Sequence, residues 1–190
     1  MEKKNTLFVS GVNAGLIIAA VGIVIFILEY VFGIMPVGIV QPILIGLFSI
    51  ALTIVVLVLL LKNYRTKNEG VLSFRDAFLF AFIALVTGGL ISTIFSYLFM
   101  NYFDSQYITK MMEAQRSFME SYLTGKVPEE KLSETLNSID DKLKNMGTLA
   151  QTIKGFFINV VVGAIIALIV AAIMKKQPNI FEDKASGGVI

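Results

Sequence analysis

Apolar residues in this chain fall into four long runs, separated by a short uncharged turn, a short charged connector and a long charged insert. The first run extends from Leu7 to Ile34, interrupted by Ser10, Asn13 and Glu29. The second, Ile39 to Leu61, has Gln41 and Pro42 at its start and no charged residue. The third enters near Ala77 and leaves at Asn101-Tyr102-Phe103-Asp104, an aromatic belt that ends on a charge. The fourth opens at Thr148 and reaches Met174. A hydrocarbon core of about 30 Å is crossed by about 20 residues of α-helix. Inside lipid every backbone N–H and C=O must find a partner within the segment, which a helix provides. The runs therefore predict membrane-spanning helices over residues 7–33, 39–61, 77–102 and 148–176. The basic start and apolar run at the N-terminus also fit a secretory leader. Leader cores are about 7–15 residues long, however, and this run is about twice that with no polar cleavage region behind it, so it reads as a span.

Local signals set the boundaries. Ser73 with Asp76, and Thr148 with Gln151, have the spacing of a helix-opening capping box. Pro36 and the glycines Gly33 and Gly38 mark a tight reversal between the first two spans. Lys62 to Arg75 reads as a charged connector leading into the third span.

Between the third and fourth spans, residues 104–147 are charged and predict two amphipathic helices. The first, from Ser105 to Leu123, places Ile108, Met111, Met112, Phe118, Met119 and Tyr122 on one side. Glu113/Arg116 and Arg116/Glu120 have the spacing of helical ion pairs. The second begins at Pro128 and carries Leu132, Leu136, Ile139, Leu143 and Met146 at alternating four- and three-residue intervals, a short coiled-coil seam. Gly125 and Gly147 are the expected stops, and the two helices form an antiparallel hairpin. Residues 177–190 are polar and expected to be disordered. The fold class is all-α: a polytopic membrane protein of four transmembrane helices with an extramembrane hairpin between the third and fourth.

Composition agrees. Of 190 residues 56% are hydrophobic and 16% charged, and the mean hydropathy is +0.78, too apolar for a soluble domain of this length. The chain has no Cys, His or Trp. Disulfides and thiolate metal sites are thereby excluded, and so is the commonest proton shuttle. Lys3, Lys4, Lys62, Arg65, Lys67, Arg75, Lys175, Lys176 and Lys184 gather on the side of the termini and connector, while the reversal at residues 33–38 has no charge. The insert is balanced, with seven basic and eight acidic residues. Basic flanks stay inside, so both termini are expected in the cytoplasm of an inner membrane and residues 104–154 in the periplasm.

Candidate chemistry is sparse. Small residues recur at four-residue spacing as Gly11, Gly15 and Ala19, as Gly88, Ser92 and Ser96, and as Gly155, Asn159, Gly163, Ala167 and Ala171. Such faces let helices approach closely, within one chain or between copies. Glu29, Asn13 and Asn159 are the embedded polar residues. Glu29 lies about 33 Å along its helix and reads as an interfacial acid facing Lys154 or Lys110, and the amides suit interhelical hydrogen bonding. Lys62, Arg65, Lys67 and Arg75 could contact anionic headgroups, although topology alone would also require them. The methionines suit an adaptable apolar surface. No nucleophile–base pair, phosphate loop or metal set can be assembled, so no catalytic residue, metal or cofactor is assigned and no nucleic-acid partner is expected.

Tyr64-Arg65, Gly70, the run Leu72 to Phe78, and Ser92 to Tyr97 leading to Asn101-Tyr102-Phe103-Asp104 resemble a family of small membrane proteins, mostly of the Bacteroidota, catalogued as domain of unknown function 4199. The resemblance covers nearly the whole chain and implies three spans, a charged helical insert and a final span. It implies no activity. The expected function is a non-enzymatic accessory or scaffold protein, embedded in membrane lipid as a homo-oligomer or with a protein partner, whose outer hairpin (seam Leu132, Leu136, Ile139, Leu143) docks a membrane or envelope partner. The alternative is an oligomeric carrier or channel for a lipid or small solute.

Overall fold

The computed structural model describes residues 2–68 and 70–176, with side chains from Thr6 onward other than that of Leu143. The tail expected to be disordered, 177–190, lies outside the described residues. Six α-helices follow in order: α1 Glu2–Val31, α2 Val40–Lys67, α3 Phe74–Leu98, α4 Gln106–Leu123, α5 Glu129–Lys144 and α6 Leu149–Met174. A π-helical turn, Phe99–Phe103, continues α3. Four of the helices, α1, α2, α3 with its π turn, and α6, are long and apolar enough to cross a membrane.

Both expected caps are present. The hydroxyl of Ser73 accepts the Asp76 N–H at 3.1 Å, and that of Thr148 accepts the Gln151 N–H at 3.3 Å. The helix runs past the end of the apolar run: Lys62 to Lys67, in the charged connector, continue α2. Polar residues leaving a membrane have no reason to unwind a helix; the break comes at Asn68 and at Gly70, whose φ of +74° is readily adopted by glycine alone.

The centre of the fold is α3, with α1 on one side and α6 on the other. α1 and α3 are parallel and in register. A Cβ at Gly11 would touch Ile83 at 2.9 Å, and one at Gly15 would lie 2.6 Å from Thr87 Cβ and 2.7 Å from the Ala84 carbonyl. One at Gly88 would lie 3.1 Å from the Gly15 carbonyl. The two backbones meet where glycine removes the side chain, the close-packed small-residue contact expected in lipid. On the other side α6 is antiparallel to α3, with Gly163 facing Leu85 and Ala167, Val170 and Ala171 buried against α3.

The buried core lies at one end of the molecule. Leu7 and Ala14 of α1, Leu57, Leu61 and Tyr64 of α2, Ala77, Phe80, Ala81 and Ala84 of α3, and Ala167 to Met174 of α6 form one cluster. All belong to the end carrying the N-terminus and the α2–α3 connector. Backbone bonds close that end: Leu72 and Lys176 exchange two N–H···O=C bonds of 2.9 Å. Arg65 Nη1 donates to the Met174 carbonyl at 3.4 Å, a favourable place for a cation at a helix C-terminus.

α2 contributes buried residues to the core only from Leu57 onward among the described residues. Of its apolar window 6% is buried, against 22% for α1, α3 and α6. It has no buried residue before Leu57.

At the opposite end α4 and α5 contact each other and cover the α1–α2 reversal. Gly38 donates its N–H to Gln115 Oε1 at 2.7 Å, and the Phe118 ring lies against Gly38. Two expected ion pairs are replaced. Arg116 does not pair within α4 with Glu113 or Glu120, but reaches Asp140 of α5 at 3.4 Å. Of the seam, Leu136 is buried and Leu132 and Ile139 are half-buried. Ile139 shares a recess with Met111 and Pro36, so part of the insert's apolar surface covers the reversal instead of the partner helix.

The contrast between Gly15 and Gly155 tests this packing. A Cβ at Gly155 would meet nothing within 4 Å. Gly15→Leu should therefore lower stability by at least the typical overpacking cost of about 1–3 kcal/mol, whereas Gly155→Leu should stay within about 0.5 kcal/mol. Equal shifts in detergent unfolding midpoints would contradict the α1–α3 contact.

Candidate functional site

Away from the connector end the helices separate, and their polar residues line two recesses on either side of α3. The first, about 250 Å³, lies between α1, α2 and α3. Its wall is mostly aliphatic, with the hydroxyls of Ser49, Thr53, Ser92 and Ser96 and the side chain of Glu29. The second, about 280 Å³, lies between α3 and α6 and is lined by Ser92, Ser96, Gly155 and Asn159 among others. Ser92 and Ser96 thus face both recesses, in contrast to Gly88 one turn earlier, which is buried against α1.

The rim of the first recess is built on rings. Phe26 packs edge-on to Phe95 and Phe99 at centroid distances of 5.8 and 5.0 Å, and Tyr30 meets Phe99 at 4.9 Å. The π turn closes with the Asp104 N–H donating to the Phe99 carbonyl at 3.0 Å, and Phe103 stacks on Phe99 at 5.0 Å. Tyr107, the first turn of α4, is buried against Phe26, Phe99 and Tyr30. One aromatic cluster therefore joins α1, α3 and α4.

Charge gathers on the same rim. Tyr30 donates its hydroxyl to Asp104 Oδ2 at 3.1 Å, and Lys110 Nζ lies 3.6 Å from the same oxygen. Gln106 donates its N–H to Asp104 Oδ1 at 3.1 Å. Loss of solvent pushes the Asp104 carboxyl upward, but the Tyr30 hydroxyl, the Lys110 ammonium and the Gln106 N–H outweigh it and hold the group below its ordinary value of 3.8. Tyr107 is pushed above 10.0, first by burial and then by the carboxylates of Glu29 and Asp104. Lys110 therefore serves Asp104, not Glu29 as the sequence suggested. No ion pair reaches Glu29 from Lys154 or any other cation among the described residues.

The other sequence candidates are dispersed. Asn13 lines a recess of about 210 Å³ with Asn63 and Lys67 near the connector end. Asn159 is exposed on α6, and neither amide makes a side-chain hydrogen bond among the described residues. Lys62, Lys67 and Arg75 are exposed, while Arg65 is engaged with α6. No group of three acidic side chains able to hold a metal occurs among the described residues. Sequence reasoning missed Ser49 and Thr53, whose four-residue spacing was the available signal. It also missed the cluster of Phe26 with Tyr30 and Phe95 with Phe99 and Phe103, all four apart.

The pH dependence of the rim follows from Asp104. A carboxyl depressed by folding contributes stability above its unfolded value, and that contribution is lost as pH falls through the lower folded value. Tyr30→Phe should raise the Asp104 titration midpoint followed by carboxyl NMR. It should also shift acid unfolding to higher pH, with the difference from wild type shrinking as the medium is acidified. An unchanged Asp104 midpoint would contradict the bond.

A family described as "Protein of unknown function (DUF4199)" matches residues 13–176. No curated protein and no solved structure matches the chain.

Proposed function

Because the chain belongs to the DUF4199 family, whose description carries no activity, we propose from geometry that it is a non-enzymatic accessory protein of the inner membrane. On this reading α1, α2, α3 and α6 form a four-helix bundle, and α4 and α5 an outer hairpin that docks an envelope or membrane partner. The supporting observation is how the insert is held. Its inner side is fixed by Tyr107 in the aromatic cluster, by Asp104 on Tyr30 and by Gln115 on Gly38, while Glu113, Glu134 and Asp141 stand exposed together with Lys131 and Lys144. A rigid, charged, two-signed surface suits recognition of a partner. Basic residues at the connector end support a cytoplasmic position for that end and a periplasmic one for the hairpin.

A second reading, an oligomeric carrier for a lipid or small solute, is favoured by the recess beside Glu29. The packed core at the connector end leaves that recess without a path through one protomer, so transport would require the core to open or several copies to cooperate.

Two experiments test the first reading. Cysteine at Ser138 should react with an impermeant thiol reagent in intact cells, and cysteine at Thr66 only after the membrane is opened. The reverse pattern would sink the orientation. A photocrosslinking residue at Glu134 or Ser138 should yield one adduct of defined mass in native membranes, and the same residue at lipid-facing Ile165 should not. The adduct should vanish when Gln106 to Met146 is replaced by a short Gly/Ser linker in a chain that still inserts. Identical adducts from all three positions, or none, would overturn docking through the hairpin.

A further inference from the structure

We propose that the recess between α1, α2 and α3 is a binding site for a lipid of the leaflet at the insert end that bears a primary ammonium group, with Glu29 pairing the ammonium. This deepens the carrier reading only by naming a ligand, since binding can hold where transport fails.

Position comes first. Glu29 lies two residues before the end of α1 at Val31, at headgroup level, next in the chain to Tyr30, whose hydroxyl donates to Asp104. From there the recess runs down α1 to Ile18. That descent is about 16 Å at 1.5 Å per residue, close to half of a hydrocarbon core of about 30 Å. The recess thus has the depth of one leaflet, with its charge at the headgroup end and aliphatic walls of Val21, Ile25, Leu52 and Val56 below.

Access and charge agree. α2 has no buried residue before Leu57, so the recess lies between a loosely attached helix and the tight α1–α3 pair, where a chain can enter from the side. Asp104 holds Lys110, and Glu29 has no ion pair among the described residues. A carboxylate at the edge of hydrocarbon is costly unless a cation meets it. A primary ammonium supplies both charge and N–H donors to a carboxylate, which only accepts. Ser96, next to Phe95 and so at the level of Phe26 one turn below Glu29, offers a hydroxyl where a lipid's ester carbonyl would pass. A phosphatidylethanolamine-like lipid fits these features; an anionic headgroup would meet Glu29 with like charge.

Native mass spectrometry of the full chain from detergent tests the site. The probes are phosphatidylethanolamine and phosphatidylglycerol of identical acyl chains, added at equal concentration. Wild type should retain the ethanolamine lipid about tenfold more strongly, the scale of one charge-assisted hydrogen bond. Glu29→Gln should bring the two lipids to parity, and Glu29→Asp should keep part of the preference. Ser49→Leu, which fills the recess from α2 and leaves Glu29 in place, should reduce retention of the ethanolamine lipid with no loss of unfolding midpoint. Equal retention of both lipids by wild type, or an unchanged preference in Glu29→Gln, would overturn the proposal. Free ethanolamine should not displace the lipid; displacement at matched concentration would mark the site as one for small amines and overturn the lipid assignment. If Glu29→Gln does not fold, Ser49→Leu decides: undiminished selective retention by that variant rules the recess out.

Discussion

The contact on which the rest of the structure depends is the near-backbone approach of α1 to α3. Water does not drive helices together within lipid, so association relies on dispersion contacts and hydrogen bonds that strengthen as backbones approach. Gly11, Gly15 and Gly88 permit that approach, and the parallel register they impose brings Phe26 and Tyr30 to Phe95 and Phe99. The aromatic cluster then receives Tyr107, and Asp104 receives Tyr30 and Lys110. The covering insert is therefore held in place through the same pair of helices.

A second consequence is asymmetry along the axis of α3. Alanines at 77, 81, 84, 167 and 171 give the connector end a thin, densely packed seam, closed further by the Leu72–Lys176 pairing. Toward the other end the facing residues change to Ser92, Ser96, Gly155 and Asn159, which leave space on both sides of α3. Small residues at one spacing thus do two different things. They pack helices where apolar neighbours converge, and they line a recess where the helices part.

That distinction explains what was legible in the sequence. Helix number, order and the caps at Ser73 and Thr148 could be read because apolar runs of span length and local capping chemistry do not depend on tertiary contacts. Gly11, Gly15 and Gly88 were identifiable as contact candidates for the same reason. The different fate of Gly155 was not, since four-residue periodicity carries no information about where two axes diverge. The partners of Arg116 and Lys110 were likewise hidden, because Asp140 and Asp104 are brought near only by the folding of α4 onto α5 and onto the rim. The continuation of α2 through Lys62 to Lys67 was not legible in the apolar run, which ends at Leu61; the helix stops at Asn68, just before Gly70 turns the chain.

The central claim, long helices packed together at the connector end and parted at the insert end, is most directly tested by disulfide trapping in a chain that contains no native cysteine. A Cβ at Gly163 would lie 3.5 Å from the Leu85 Cβ, within the range of about 3.5–4.5 Å that a disulfide requires. Gly155 has nothing within 4 Å of its Cβ position, although it shares a recess with Ser96. The Gly163→Cys/Leu85→Cys pair should crosslink readily under mild oxidation in membranes, and the Gly155→Cys/Ser96→Cys pair should remain reduced. Crosslinking of both pairs at similar rates would show α3 and α6 packed along their whole length and would contradict the account.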